Sequence, residues 1–187
     1  MIGYALCGSF CTFAASITAM RALIDEGREL QPILSQNAAS LDTRFGKADV
    51  HRQTIAALCR REPILTIADA EPLGPKTPLE ALIIAPCTGN TLAKLALGIT
   101  DTAVTMAAKA HLRQSRPLLL ALASNDAMAA NLKNIALLLE KKAVYFVPMR
   151  QDDPEKKPHS LVADFSLIPA CLADALAGHQ RRPLFLS

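Results

Sequence analysis

The chain has 187 residues, 51% of them hydrophobic and 20% charged, with a formal net charge of +3. Intrinsic disorder is excluded by the apolar fraction, and so small a charge without a basic cluster excludes nucleic acid as an electrostatic partner. No apolar run reaches the ~18 residues of a membrane helix, so no membrane partner is expected.

The first apolar run, residues 2–7, predicts a buried strand ended by Gly8. Residues 13–26 predict a helix with Gly27 as its stop. A second strand is expected at 30–34, with Pro32 favouring an edge, followed by a polar loop at 35–40. Spacing predicts a helix over 47–60 and a short third strand over 64–67. Three prolines and a glycine between Ala70 and Pro78 exclude a long helix there. Residues 81–85 read as the clearest buried strand. Helices are expected at 90–97 and 102–113, a fifth strand at 117–123, a helix at 127–141 and a sixth strand at 144–147. Residues 151–158, charged and holding Pro154 and Pro158, must be loop, and a last helix runs over 165–177 to Gly178. Alternating strands and helices, with continuous apolar strand runs, predict an α/β fold. It is a three-layer, Rossmann-like, doubly wound parallel sheet of about six strands in a single domain, 1–187.

The five cysteines, at 7, 11, 59, 87 and 171, are odd in number, which fits a reducing compartment, and the start Met1-Ile2-Gly3-Tyr4 lacks a signal peptide's basic region. A cytoplasmic protein is therefore expected. Cysteine spacing and the scatter of the four histidines give no zinc signature, and no metal is expected.

In doubly wound sheets ligands bind beyond the carboxyl ends of the strands. After the first strand, Gly8, Ser9 and Phe10 lead into a helix, offering a close-approach glycine and free N–H groups to an anion. The alternative is an ordinary strand-to-helix turn. A single Gly8 is not the dinucleotide fingerprint and leaves room for a mononucleotide phosphate. Ser35 follows the second strand. Pro86, Cys87, Thr88, Gly89, Asn90 and Thr91 follow the fourth, with three hydrogen-bonding side chains where a helix cap needs one. Ser124, Asn125 and Asp126 follow the fifth, and Asn125 or Asp126 could simply cap the next helix. Cys87 either meets a ligand edge or fills a tight turn, the commoner use of a free cysteine. Uncharged polar groups at four strand ends suit a ligand with many polar edges and one phosphate, which describes flavin mononucleotide (FMN).

Gly8-Ser9, the run Ala85 to Lys94 and Gly98-Ile99-Thr100-Asp101 resemble the flavoprotein family of phosphopantothenoylcysteine and peptidyl-cysteine decarboxylases. The resemblance implies FMN, with Pro86, Asn90 and Thr91 matching the family's flavin-contacting segment, and assembly into trimers or larger homo-oligomers. No histidine stands in the region matching the family's catalytic one, between Ala70 and Gly74, and Ala123-Ser124-Asn125-Asp126 replaces a Pro-Ala-Met-Asn segment. Thiol decarboxylation is therefore not expected. The segments Gly8 to Phe13, Asp42 to Lys47, Ala70 to Lys76, Thr100 to Arg113 and Gln151 to Pro158 are similar to one branch of the family, the dipicolinate synthase B subunits. That implies oxidation of a cyclic dihydro- or hydroxytetrahydrodipicolinate during sporulation, beside the dehydrogenase-like A subunit of the synthase, which carries NADP. An alternative within this resemblance is a partner protein without chemistry of its own. A dicarboxylate needs cations. Among Arg44, Lys47, Lys109, Arg113, Lys156 and Lys157, Arg44 is the expected substrate contact, with Asn125 and Asp126, because its fork suits a carboxylate.

Overall fold

In the computed structural model, which describes residues 1–74 and 76–187, a seven-stranded sheet is sandwiched between two layers of helices. Pro75, in the proline-rich stretch, lies outside the described residues. The first five strands are β1 (Ile2–Leu6), β2 (Leu30–Leu34), β3 (Leu82–Cys87), β4 (Leu118–Ser124) and β5 (Val144–Phe146). They pair in parallel in the order β2-β1-β3-β4-β5, so the order reverses between β1 and β3, where a crevice opens at the carboxyl ends. The three-layer, doubly wound α/β fold expected from the sequence is what forms.

Alternating side chains feed the two faces. Tyr4, Leu6, Ile83 and Leu119 pack under α1 (Phe13–Asp25), α3 (Ala48–Cys59) and α8 (Ile168–Leu176). Ala5, Cys7, Ile84 and Leu120 pack under α5 (Gly89–Leu97), α6 (Ala103–Leu112) and α7 (Leu132–Leu139). Gly27, Gly98 and Gly178 end α1, α5 and α8 at positive φ, where glycine carries no Cβ penalty. No helix among the described residues is long and apolar enough to cross a membrane.

Five expectations are corrected. The loop at 35–40 is a short helix, α2 (Gln36–Ser40), capped by Ser35 Oγ accepting from Ala38 N. The strand at 64–67 shrinks to one bridge, Ile33 with Ile64, because Thr66 at once caps α4 (Ile67–Ala70). β3 runs on through Pro86 and Cys87, expected to follow the strand. A register shift between Ile84 and Cys87 accommodates the proline, which has no N–H to donate. The helix expected from 127 starts at Leu132, because the main-chain carbonyl of Asp126 accepts from Ala129 and Asn131 and holds a turn.

The fifth correction concerns strand number. Two short strands, β6 (Met149–Arg150) and β7 (Leu161–Ala163), flank the charged loop, and β7 runs antiparallel to the last two residues of β4. The sheet is therefore mostly parallel, and the expected six or so parallel strands become five paired in parallel plus β7 and β6, joined to β4 and to each other by antiparallel pairing.

Candidate functional site

Across the β1/β3 crevice lies a cleft of about 280 Å³ lined by Cys7, Gly8, Ser35, Gln36, Asn37, Thr88, Asn90, Thr91, Lys94 and Thr102. Most of these are uncharged hydrogen-bonding residues, and the volume is close to the ~300 Å³ lower end for ligand pockets. Five sequence-derived site residues meet here: Gly8, Ser35, Thr88, Asn90 and Thr91.

Thr88 alone caps α5. Its Oγ1 accepts from Thr91 N at 3.3 Å and donates to Thr91 Oγ1 at 3.1 Å, a cap worth about 1 kcal/mol. Thr91 Oγ1 passes the chain on to Cys7 Sγ at 3.2 Å. Asn90, exposed in the first turn of α5, takes no part in this cap. Burial pushes the Cys7 thiol up to about 11, against the smaller opposing effect of the Thr91 hydroxyl. It is therefore no proton carrier near neutral pH. Lys94 is paired with Asp101 at 2.8 Å, and that ammonium holds the Asp101 carboxyl below its usual value.

The other predicted residues are placed differently. Ser9 and Phe10 adjoin Gly8 but do not line the cleft; Phe10 packs on Phe13, with ring centroids 5.1 Å apart. Ser9 precedes a 3-10 turn at Phe10–Thr12 that runs into α1, and its hydroxyl makes no cap. Pro86 and Cys87 are buried in β3, and burial holds the Cys87 thiol well above its ordinary value, so packing accounts for it. Ser124 and Asp126 form a separate cluster behind Gly89, with Asn125 beside it. Arg44 is exposed at the tip of a turn, its guanidinium 4.8 Å above the Phe45 ring. Lys47, Lys156 and Lys157 are exposed and outside the cleft, and Lys109 and Arg113 line a different groove with Leu95 and Ile99. Neither His51 nor His111 lines the cleft, and His111 is buried with Nε2 2.8 Å from the Pro117 carbonyl.

Sequence reasoning missed Lys94 and Thr102 and did not single out Gln36 and Asn37. Lys94 was within reach, since it stands three positions after Thr91 on the same helix face.

The residues of this cleft suit a flavin mononucleotide in chemistry, with uncharged hydrogen-bonding side chains around a strand-end glycine. A Cβ on Gly8 would meet only ordinary contacts, 3.4 Å from Asn37 Cβ and 3.5 Å from Phe10. The chain's own packing therefore does not demand glycine, and its bare backbone is open to close approach by a ligand.

The family model described as Flavoprotein matches residues 1–165. The chain belongs to the flavoprotein family. It is similar to the B subunit of dipicolinate synthase of Bacillus subtilis (strain 168), at 43% identity over 99% of this chain and 92% of that protein. The crystal structure of the dipicolinate synthase B subunit from Bacillus halodurans C superposes with a TM-score of 0.91 at 36% identity, covering 100% of this chain and 95% of that one. The FMN-dependent cysteine decarboxylase SpaF shares the fold, with a TM-score of 0.70 at 24% identity over 93% of this chain and 95% of that one. The resemblance read from the motifs of this flavoprotein is thus borne out for family and branch.

Proposed function

We propose that this flavoprotein is the B subunit of a dipicolinate synthase. It binds FMN and acts with the dehydrogenase-like A subunit, which carries NADP, to oxidise a cyclic dihydro- or hydroxytetrahydrodipicolinate to dipicolinate. The place of action is the cytoplasm of the mother cell during sporulation. The observation that carries this reading is the likeness to the dipicolinate synthase B subunit over nearly the whole chain. Bound FMN would supply a two-electron acceptor. The Gly8-Ser9-Phe10 turn receives its phosphate, because the start of a helix leaves N–H groups free. Ser35, Thr88, Asn90 and Thr91 meet its polar edges, with Pro86 and Cys87 beneath and Ser124 and Asn125 at the far side. Arg44, Asn125 and Asp126 face the dicarboxylate. Exposed Leu97, Ile99, Leu132 and Leu137 support self-association into a homo-oligomer.

The test is to mix the two purified proteins with NADP and the hydroxylated or dihydro substrate and follow dipicolinate. Formation at the full rate only when both are present is expected; the dehydrogenase-like protein working equally well alone would contradict the reading. A second reading, a partner that positions the dehydrogenase without chemistry of its own, is favoured by the high titration range of the Cys7 thiol and the absence of histidine from the cleft lining. A colourless protein that the dehydrogenase still requires would select it.

Asn90 separates ligand contact from helix capping. Asn90→Asp places a carboxylate in the first turn of α5, where the helix dipole favours it by about 0.3–1 kcal/mol. Melting temperature should hold or rise slightly while flavin affinity falls, both read on one sample. Unchanged affinity would remove Asn90 from the ligand contacts.

The loop between β6 and β7 is folded on itself. Lys157 pairs with Asp152 at 2.7 Å, Asp153 Oδ1 accepts from Lys156 N at 3.1 Å, and Gln151 Nε2 donates to the Pro158 carbonyl at 3.0 Å. Its end docks on the strand-end segment, with Met128 N donating to the His159 carbonyl at 2.9 Å. We read it as a cover for the substrate or a contact to the dehydrogenase-like partner. Deleting residues 152–157 should leave fold and flavin content intact, since loop length changes closure entropy only weakly, and should cut dipicolinate formation by the mixed proteins. Full-rate formation would show the loop to be a plain connection.

A further inference from the structure

The Asp126 carboxylate is held in a way that its own turn does not need. An Asp at a strand end ordinarily accepts backbone N–H groups of the following turn. Here the main-chain carbonyl of Asp126 does that work, accepting from Ala129 N at 3.1 Å and Asn131 N at 3.2 Å. The carboxylate accepts side-chain donors instead: Ser124 Oγ at Oδ1, and Asn131 Nδ2 at Oδ2 from 2.9 Å. Asn134 Nδ2 in turn donates to Asn131 Oδ1 at 2.8 Å. Both asparagines are only 5% exposed, whereas Asp126 is exposed. Two buried amides are therefore spent on aiming one surface carboxylate. Burying amides is unfavourable unless they are fully bonded, and a charge needed only for hydration requires no such support. Oriented backing of this kind is how reactive groups are fixed.

The position of this carboxylate supplies a second, independent observation. Gly89 lies between Thr88 and Asn90, both in the cleft wall, and a Cβ there would stand 2.7 Å from Asp126 Oδ1. Asp126 thus stands directly behind the first turn of α5. On its other side, the end of the β6–β7 loop closes in through the Met128–His159 bond and Ser160 Oγ, 3.5 Å from Asn125 Oδ1.

We infer that Asp126 is the proton acceptor for the ring of the substrate, and that the hydroxytetrahydro form is the one on which it acts; this rests on the function proposed above. A carboxylate repels the two acid groups of a dicarboxylate, so it faces the ring edge. In that ring a CH2 group lies between the C=N carbon and the hydroxylated carbon, and the C=N bond makes its hydrogens acidic. Asp126 takes one of these protons, and the electron pair of the broken C–H bond becomes a ring C=C bond. The C–O bond breaks, and hydroxide leaves as water with the proton that Asp126 collected. No electrons are transferred to an acceptor, the carboxylate is regenerated, and the dihydro ring is delivered to the oxidation step.

Deuterium incorporation tests this. Purified protein without its dehydrogenase-like partner is given hydroxytetrahydrodipicolinate in D2O, and the ring CH2 signal is followed by proton NMR. Exchange above the protein-free rate is expected from wild type, and Asp126→Asn should slow it by about 100-fold or more, the usual share of a general base. Flavin binding and melting should not change. Should the Asn variant fail to fold, Asp126→Ala with added formate decides, rescue supporting the assignment and its absence overturning it. Wild-type exchange in folded Asp126→Asn also overturns it, as does no exchange above background from wild type while the mixed wild-type proteins form dipicolinate. Mixed wild-type proteins that form no dipicolinate overturn the underlying function instead.

Discussion

Replacing Ser9 by Asp is expected to abolish flavin binding and leave the fold unharmed. Ser9 stands just before the 3-10 turn that opens α1, and its hydroxyl makes no cap, only a 3.9 Å contact with Cys11 Sγ. Nothing in the fold depends on that hydroxyl. A carboxylate there is helped by the helix dipole by about 0.3–1 kcal/mol, so melting temperature should hold. Against a phosphate about 4 Å away, the same carboxylate is repelled by about 4 kcal/mol at an effective dielectric of ~20. That is about a thousandfold in Kd. The two effects have opposite signs, so a fluorescence titration and a melting curve on one preparation separate them. Wild-type affinity in Ser9→Asp would mean that the phosphate does not sit at this turn.

Gly89→Ala carries the next largest effect, and here the fold itself should suffer. Alanine favours helix over glycine by about 1 kcal/mol. Its methyl, however, would lie 2.5 Å from Ser124 Oγ, 2.6 Å from Asn131 Nδ2 and 2.7 Å from Asp126 Oδ1. Overpacking of this kind costs about 1–3 kcal/mol. Pushing Asn131 away also leaves its buried amide unbonded, at about 1–3 kcal/mol more. The clash wins, and a net loss of about 2 kcal/mol should lower Tm by about 4–8 °C. If Asp126 is also displaced, ring-proton exchange should fall with it. A melting temperature at or above wild type would show that α5 can shift without disturbing the cluster.

The sheet was legible because its strands are buried on both faces and read as continuous apolar runs, as at Leu82 to Ala85 and Leu118 to Ala123. β6 and β7 were not legible: two and three residues set no period, and antiparallel pairing with β4 is a tertiary event. Thr66 defeated the strand at Ile64 by starting a helix two residues later. At the site, strand-end positions found Gly8, Ser35, Thr88, Asn90 and Thr91, since topology alone puts them at the crevice. Lys94 and Thr102 come from within or before helices, where that rule does not look. Pro86 and Cys87 lie inside β3 rather than after it, because past the register shift at Ile84 the strand runs on two residues beyond the apolar run that marks it in the sequence. Asp126 was legible as a strand-end residue, but its support by Asn131 and Asn134 was not, because these read as ordinary helix residues until their side chains are traced.

The most direct test of the account is a titration of FMN with the purified protein, read by flavin fluorescence. Saturable quenching at one flavin per chain, weakened by Asn90→Asp and lost in Ser9→Asp, is the predicted result. Flavin fluorescence that stays unchanged at saturating protein would contradict the assignment of the β1/β3 cleft as a flavin site.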